Sequence, residues 1–412
     1  MANNLLTISK ITNEALMVLE NELTFTSECD RNYDDQFAVV GGKIGNTVNV
    51  RKPGRFIGTT GPALNVEDFN ETSVPVTLST QFHVDTQFTT QDLALSLDMF
   101  SDRVLKPAVA AIANKIDRDG LSTAALNTYN IVGTAGTPPT GLITYLTGAA
   151  YLDSEGAPRD GRRSMIVEPF TSATIVDSLK GLFVPQEAIG EQYRKGLMGR
   201  DSGGMNWKLD QNVVSQTFGS WSANTIAITL ASTSSAGVLT SGWASSSNVT
   251  LTASTASTLN VGDVFTIPGV YAVNPQNRQS YGKLRNFVVN STTTVATTGT
   301  TVNISPAIIV SGQFQNVQVT SYNSPNITAF NNTGVTSPQN IMMHRNAYTL
   351  AVADLELPDG VHFAGRASDK EVGLSMRVVR QYTINNDSIP TRLDVLYGWA
   401  PLYPELACRV AA

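Results

Sequence analysis

The sequence predicts an α+β protein whose framework is interrupted by an inserted all-β domain. Three observations carry that expectation. Apolar residues recur at helical spacing over a long stretch of the first third of the chain. Short strands and helices flank that stretch. Between two such mixed regions lies a block rich in Ser, Thr, Asn and Val, in which only Asp263, Arg278, Lys283 and Arg285 are charged from Gln211 to His344. With 412 residues the chain exceeds the size at which one hydrophobic core stops growing, so two or more packing units are expected.

From the N-terminus, Ile11, Ala15, Leu19 and Leu23 stand four residues apart, the spacing of one helix face, and Ser9 can cap them. Residues 1–44 read as an arm with a short helix. Residues 45–90 turn to β-formers in alternation, with Val48 and Val50 on the way out and Val74, Val76, Leu78, Phe82 and Val84 on the way back. The tip carries Arg51, Lys52 and Arg55 on the outgoing side and Glu67, Asp68 and Glu71 on the return. It has few residues able to build a private core. An isolated hairpin is marginal in water, so this one is expected to lie on something else, with a neighbouring copy of the chain the natural candidate. A solvated charged hairpin within one domain is the plainer alternative.

Residues 91–132 hold the longest helical pattern: Leu93, Leu97, Phe100, Val104, Ala108, Ile112 and Ile116 return every three or four residues. Pro107 should kink this spine helix, because its ring clashes and its N–H is missing. Residues 133–204 open with a Gly, Pro and Thr-rich turn and then mix strand and helix. Met165 to Glu168 reads as a strand, and Thr171 or Ser172 can cap a helix that runs through Leu182 and stops before Pro185. Residues 205–338 form the β insert, whose runs Thr225 to Leu230, Asn248 to Thr252, Val264 to Ile267, Leu284 to Val289 and Asn316 to Thr320 alternate with turn residues, the signature of a small barrel or sandwich. Residues 339–380 and 381–412 return to the α+β character, with Asn346 to Leu355 helical and strands around Leu374 to Val379 and Leu393 to Tyr397.

Composition narrows the function. Hydrophobic residues make up 42% of the chain and charged residues 15%, which leaves much neutral polar surface for contacts between copies. The net charge of -6 argues against wrapping nucleic acid by neutralising phosphates, although passive enclosure of DNA stays open. No apolar run approaches bilayer length and Met1 to Lys10 lacks a signal core, so a soluble protein without membrane contact is expected. Cys29 and Cys408 read as free thiols of a reducing cytoplasm, with a single bridge between them the alternative.

The sharpest catalytic lookalike is Asp201-Ser202-Gly203-Gly204, which resembles the nucleophile loop of trypsin-like serine proteases. That chemistry needs a preceding His and Asp, and only His83 precedes it, among alternating β residues; Met205 also replaces the expected Pro. A Gly hinge into the insert is the alternative. His83, His344 and His362 have no ligand partners at metal-binding spacing. Asp117-Arg118-Asp119-Gly120 begins like a calcium loop, lacks the remaining acidic positions, and reads as a helix end. Gly41-Gly42-Lys43 lacks the rest of a phosphate loop. No enzyme activity, metal or cofactor is expected. The loop Asp153 to Arg163, with Arg159, Arg162 and Arg163, is a candidate for touching a neighbour's carboxylates or nucleic acid. Trp221, Trp243 and Tyr271 raise a weaker idea of carbohydrate binding by the insert.

The last third of the chain resembles the major capsid proteins of tailed bacteriophages, in the branch whose shell fold carries an inserted β domain. The residues are His344-Arg345-Asn346-Ala347, the run Ala353 to Pro358, Gly373 to Arg377, Tyr382 to Asp387, Arg392 to Trp399 and Pro404 to Val410; weaker similarity reaches Gly181 to Pro185 and the spine helix. The resemblance implies the major capsid fold of tailed phages and herpesviruses: N-terminal arm, extended loop, peripheral domain around the spine helix, axial domain and insert. It also implies a homo-oligomer of pentamers and hexamers closing into an icosahedral head, with a scaffolding protein, a portal protein, a possible decoration protein and packaged DNA contacted weakly. Because the extended loop begins by about Gly45, the scaffold is expected to be a separate chain. The family's insert is associated with a charged loop reaching a neighbouring capsomer; Ser232 to Asn248 has no charge, so no ion pair is carried over. Another virion protein, a tail tube or fibre, is the runner-up, against which stand the spine helix and the absence of repeats. A serine hydrolase using Ser202 comes last.

Overall fold

Two amphipathic surfaces, a helix stripe and the inward side of a sheet, make the core of the first of two packing units. The computed structural model describes residues 23–31, 45–89, 106–178, 203–221, 224–230, 237–240, 242–320, 325–330, 334–369 and 374–412. One unit comprises Met1–Val50, Val74–Gly120 and Tyr348–Leu402; the other comprises Arg51–Ser73, Leu121–Ala347 and Tyr403–Ala412.

In the first unit the helix Lys106–Asn127 buries Ala108, Val109, Ile112, Ala113 and Ile116, a stripe at three- and four-residue spacing, against Leu350, Val352, Met376, Val378, Leu393, Val395 and Tyr397. The strand Ser388–Pro401 organises the sheet. It pairs antiparallel with Thr80–Thr89 along one edge and with Leu374–Arg380 and Tyr348–Ala353 along the other. Phe363–Asp369 adds outside Leu374–Arg380. Strand alternation sends Leu393, Val395 and Tyr397 into the core and Asp394 to the opposite face, where Arg377 grips it through Nε at 3.0 Å and Nη2 at 2.5 Å.

The expected helix at Asn346 to Leu355 is corrected here. Arg345–Ala347 makes one 3₁₀ turn and Tyr348–Ala353 is a strand buried on both faces, which hides the period-2 signal. The helix end expected at Asp117 to Gly120 is also corrected, because the helix runs on to Asn127. Gly120 is required inside it: a Cβ there would stand 2.6 Å from the Trp399 ring and 2.7 Å from Phe25. The buried Asp117 carboxylate accepts the N–H groups of Thr24 at 2.7 Å, Phe25 at 3.3 Å and Thr26 at 3.0 Å, so this acid is a cap for an irregular segment and not an ion ligand. Thr80–Thr89 belongs to this sheet, which shortens the expected return arm of the excursion. The N-terminal helix before Leu23 and the segment 90–105, where the kink before Pro107 was expected, lie outside the described residues.

The second unit has a mixed sheet in the order Ile131–Gly133, Ala407–Ala411, Thr336–His344, Arg163–Val167, Asn206–Leu209. The C-terminal strand is wholly buried between its neighbours, and Cys408 and Cys29 are both buried and not joined in a disulfide. The helices Leu142–Ser154 and Pro169–Ser178 supply Tyr145, Ala149, Leu152 and Ile175 to its core. Pro169 starts the second helix, ahead of the expected cap at Thr171 or Ser172; a proline suits a first helical position because its N–H would have no partner there. The end expected near Leu182 lies outside the described residues.

Residues 226–329 of the same unit hold a seven-stranded sheet, within the stretch expected to be an insert. Val317–Val319, Val264–Val273, Ser280–Val289, Thr300–Ser305, Ser247–Ala253 and Ile226–Thr229 follow one another, with Thr328–Ala329 beside Val264–Val273. The N–H of Ile228 donates to Pro325 and that of Phe330 to Val264, both at 3.0 Å, so one short segment meets both sides of the sheet and curls it. Ile226, Ile228, Val249, Leu251, Phe265, Phe287, Val302 and Ile304 fill the interior. Asn248, Thr250, Thr301 and Asn303 alternate outward.

Candidate assembly surface

The extended loop leaves on Thr47–Lys52 and returns on Thr72–Thr77, a two-stranded ladder with Val48, Val50 and Val76 buried at its base. Pro53 to Glu71 has no strand pairing. Two ties hold it together: the Phe56 and Phe69 rings stack with centroids 5.8 Å apart, and the Ile57 N–H donates to Glu67 Oε2 at 2.7 Å. Gly54 is needed beneath them, since a Cβ would come within 2.5 Å of the Phe69 ring. Further out, Leu64 and Val66 are 90% and 78% exposed, and Phe56 and Phe69 are 60% and 58% exposed. Several large apolar side chains standing in water on one loop mark a surface that fits a partner.

The six charged residues of this loop divide. Arg51 and Glu71 face each other across the ladder at 3.5 Å in solvent, and Asp68 is exposed. Lys52 turns inward: its Nζ lies 4.5 Å from the centre of the Tyr403 ring and 6.0 Å from that of Trp243, and burial pushes its ammonium below the usual lysine range despite the pull of Glu405. Arg55 reaches Glu405 at 3.9 Å, and Glu67 is engaged within the loop. The base of the loop thus rests on its own chain. Its far end does not.

The second charged cluster is more self-contained. Arg163 is buried and donates to Asp153 at 2.8 Å and to the carbonyls of Pro158 and Ala157 at 2.9 and 2.6 Å. Arg159 forms a forked pair with Asp153, and that pair holds the Asp153 carboxyl below its ordinary range. Arg162 lies 4.0 Å from Asp160, which also meets His344 at 3.2 Å. Arg159 and Arg162 stay exposed; Arg163 does not, because a cation in that turn must satisfy two buried carbonyls.

Other motifs are not drawn together. Asp201 and Ser202 lie outside the described residues, and Gly203 and Gly204 both adopt positive φ, 66° and 78°, as a hinge would. His83 pairs with Asp85 at 2.9 Å on an exposed strand face. Among the described residues no three His, Cys, Asp or Glu side chains are grouped as metal ligands, and no helix is long and apolar enough to cross a membrane. Trp221 is buried, its Nε1 donating to Asp263 at 2.8 Å, so it cannot stack on a sugar. The residues that the sequence did not single out are Arg278, Gln313, Tyr403 and Glu405, which meet the loop from elsewhere in the same unit. Arg278 had a signal, being one of four charges in a charge-poor block; the others had none. A cleft of about 510 Å³ opens beside them, lined by Arg55, Phe56, Glu155, Gln276 and Arg278 among others.

The family model described as P22 coat protein, gene protein 5, matches residues 1–409. No curated protein matches the chain. Among solved structures, a chain of Mycobacterium phage Che8 is similar at 11% identity with a TM-score of 0.47, covering 94% of this chain and 90% of that one. The capsid of Ralstonia phage GP4 is similar at 8% identity with a TM-score of 0.47, covering 94% and 88%. The capsid of the cyanophage P-SCSP1u is similar at 10% identity with a TM-score of 0.42, covering 89% and 84%.

Proposed function

The chain belongs to the P22 coat protein family, and from that premise we propose how copies of it build a phage head. It is the major capsid protein of that head. Copies gather as pentamers and hexamers, which close into an icosahedral shell around a scaffolding protein, in the cytoplasm of the host. A portal protein admits double-stranded DNA, and a decoration protein can bind outside. The role is structural and needs no catalytic residue, metal or cofactor. The net charge of -6 suits a container that touches DNA weakly.

The observation that carries this proposal is the extended loop, whose base is seated on its own chain while Leu64, Val66, Phe56 and Phe69 stand in water. Such a loop fits a groove on a second copy, with Arg51, Asp68 and Glu71 beside the apolar tip to set register, and Arg159 and Arg162 as further contact candidates. Coexpression with the scaffolding protein, followed by electron microscopy, tests it. Closed regular shells are expected; a chain that stays monomeric with its scaffold present would sink the proposal.

A further inference from the structure

Two loops of the insert hold the extended loop of the same chain by its main chain. The first is the turn between the strands Val264–Val273 and Ser280–Val289. Asn274 builds it: its Oδ1 accepts the N–H groups of Gln276 at 2.8 Å and Asn277 at 3.4 Å, and its carbonyl accepts that of Arg278 at 2.8 Å. The turn carries Arg278 into the left-handed region at φ 59°, where glycine or asparagine is the usual occupant. The arginine there extends a guanidinium whose Nη2 donates to the carbonyl of Phe56 at 2.9 Å and to that of Gln313 at 3.3 Å.

Gln313 belongs to the second loop, between Ile308–Ile309 and Val317–Val319. Its Nε2 donates to the carbonyl of Asp68 at 2.6 Å, and its Oε1 accepts from Asn70 Nδ2 at 3.5 Å. The two grips fall on opposite limbs of the extended loop, Phe56 outgoing and Asp68 returning. One grip would leave a swivel, whereas two fix an angle. Both act on carbonyls, so the side chains of Leu64 and Val66 remain free.

We propose that Arg278 and Gln313 form a clamp by which the insert presets the angle of its own chain's extended loop before a neighbouring copy meets it. The inference rests on the proposal that this loop laps a second copy, and it gives the insert a part in assembly that needs no charge in Ser232 to Asn248. A loop held in its docking pose loses less freedom on binding, which favours one lattice geometry over others. Arg278 and Gln313 are positioning residues that act through the loop.

The test uses the full-length unassembled chain as R278G, which suits the positive φ, as Q313A, and as the double variant. Hydrogen exchange at the Ile57 amide, whose N–H donates to Glu67 Oε2 within the loop, should quicken on the order of tenfold as the loop loosens, the change expected for losing a hydrogen bond of ordinary net worth. The amides of Val264–Val273 and Ser280–Val289 should keep their protection. With the scaffolding protein present, the double variant should give open or irregular shells where the unaltered chain gives closed ones. Unchanged exchange in the loop, or a loosened loop with unaltered shells, would overturn the clamp. So would loss of protection in those two strands in the single variants, which would make the pair part of the insert's own fold. Failure of the unaltered chain to close shells would instead overturn the proposal beneath it.

Discussion

Between Gln211 and His344 four side chains are charged, and two of them, Asp263 and Arg285, are buried; between Arg51 and Glu71 six are charged, and Arg51 and Glu71 stand in solvent beside exposed Phe56, Leu64, Val66 and Phe69. The nearly neutral segment turns Asp263 and Arg285 inward and shows water Lys283 and a face of Thr and Asn. The extended loop leaves the Arg51 and Glu71 pair and its apolar groups outside, and turns Lys52 inward. Asp263 accepts the N–H of Gly219, the indole N–H of Trp221 and the N–H of Asn260, so its charge serves as an internal tie. Arg285 pairs with Glu155 where both side chains are about 4% exposed, and it also donates to Tyr129 Oη at 3.0 Å. Burial pushes the Glu155 carboxyl up against the pull of that guanidinium. The difference teaches that a nearly neutral segment can be the more electrostatically constrained one, because two of its four charges, Asp263 and Arg285, work at low dielectric.

The largest expected effect follows from that contrast. Arg285→Ala should destabilise the chain by about 3–5 kcal/mol, because Glu155 would be left buried and uncompensated. Removing both partners, Glu155→Ala with Arg285→Ala, should cost less than the single change. Urea unfolding midpoints compare the two, and a single variant no worse than the double would break the contrast by showing the pair to be passive.

An exposed pair should behave differently. Arg51 and Glu71 are 80% and 45% exposed and 3.5 Å apart, so Arg51→Ala should change stability by less than about 1 kcal/mol. If the pair instead sets register against a neighbour, Arg51→Glu slows shell growth at low salt, and the defect fades as ionic strength approaches ~1 M, where the Debye length is short. Light scattering during scaffold-assisted assembly measures this. A stability loss as large as that of Arg285→Ala would mean the pair is structural after all.

Legibility in the sequence followed the same division. Strands such as those holding Val249 and Leu251, or Ile226 and Ile228, announce themselves because one face is buried and the other wet, which writes a period of two. The helix stripe Ala108, Ile112 and Ile116 is equally plain at its own period. Tyr348–Ala353 carries no period, since a strand buried on both faces is apolar throughout and reads as well as a helix. The role of Asp117 was hidden for another reason: the backbone it caps, Thr24 to Thr26, is some ninety residues away, and no local pattern records a distant donor. The charged loop residues were visible as charges, but which of them turn inward depends on Tyr403, Trp243 and Glu405, all remote in sequence. Charge pattern marks a surface; burial by distant segments decides how much of it remains one.

The smallest expected effect on folding is at the tip of the loop, and it bears most directly on assembly. Leu64 and Val66 touch little of their own chain, so Leu64→Ser with Val66→Ser should alter the unfolding free energy by no more than about 0.5 kcal/mol. Removing two exposed apolar side chains should even raise the solubility of the unassembled chain. If these residues fill a groove on a second copy, however, each desolvated side chain contributes on the order of 1.5–3 kcal/mol per contact, repeated at every contact in the shell. Closed shells should then vanish from scaffold-assisted assemblies while the monomer's melting curve stays where it was. Shells of normal yield and shape from this variant would place the tip in solvent in the assembled head, and the contact between copies would have to be sought at the base of the loop or on the 153–163 turn.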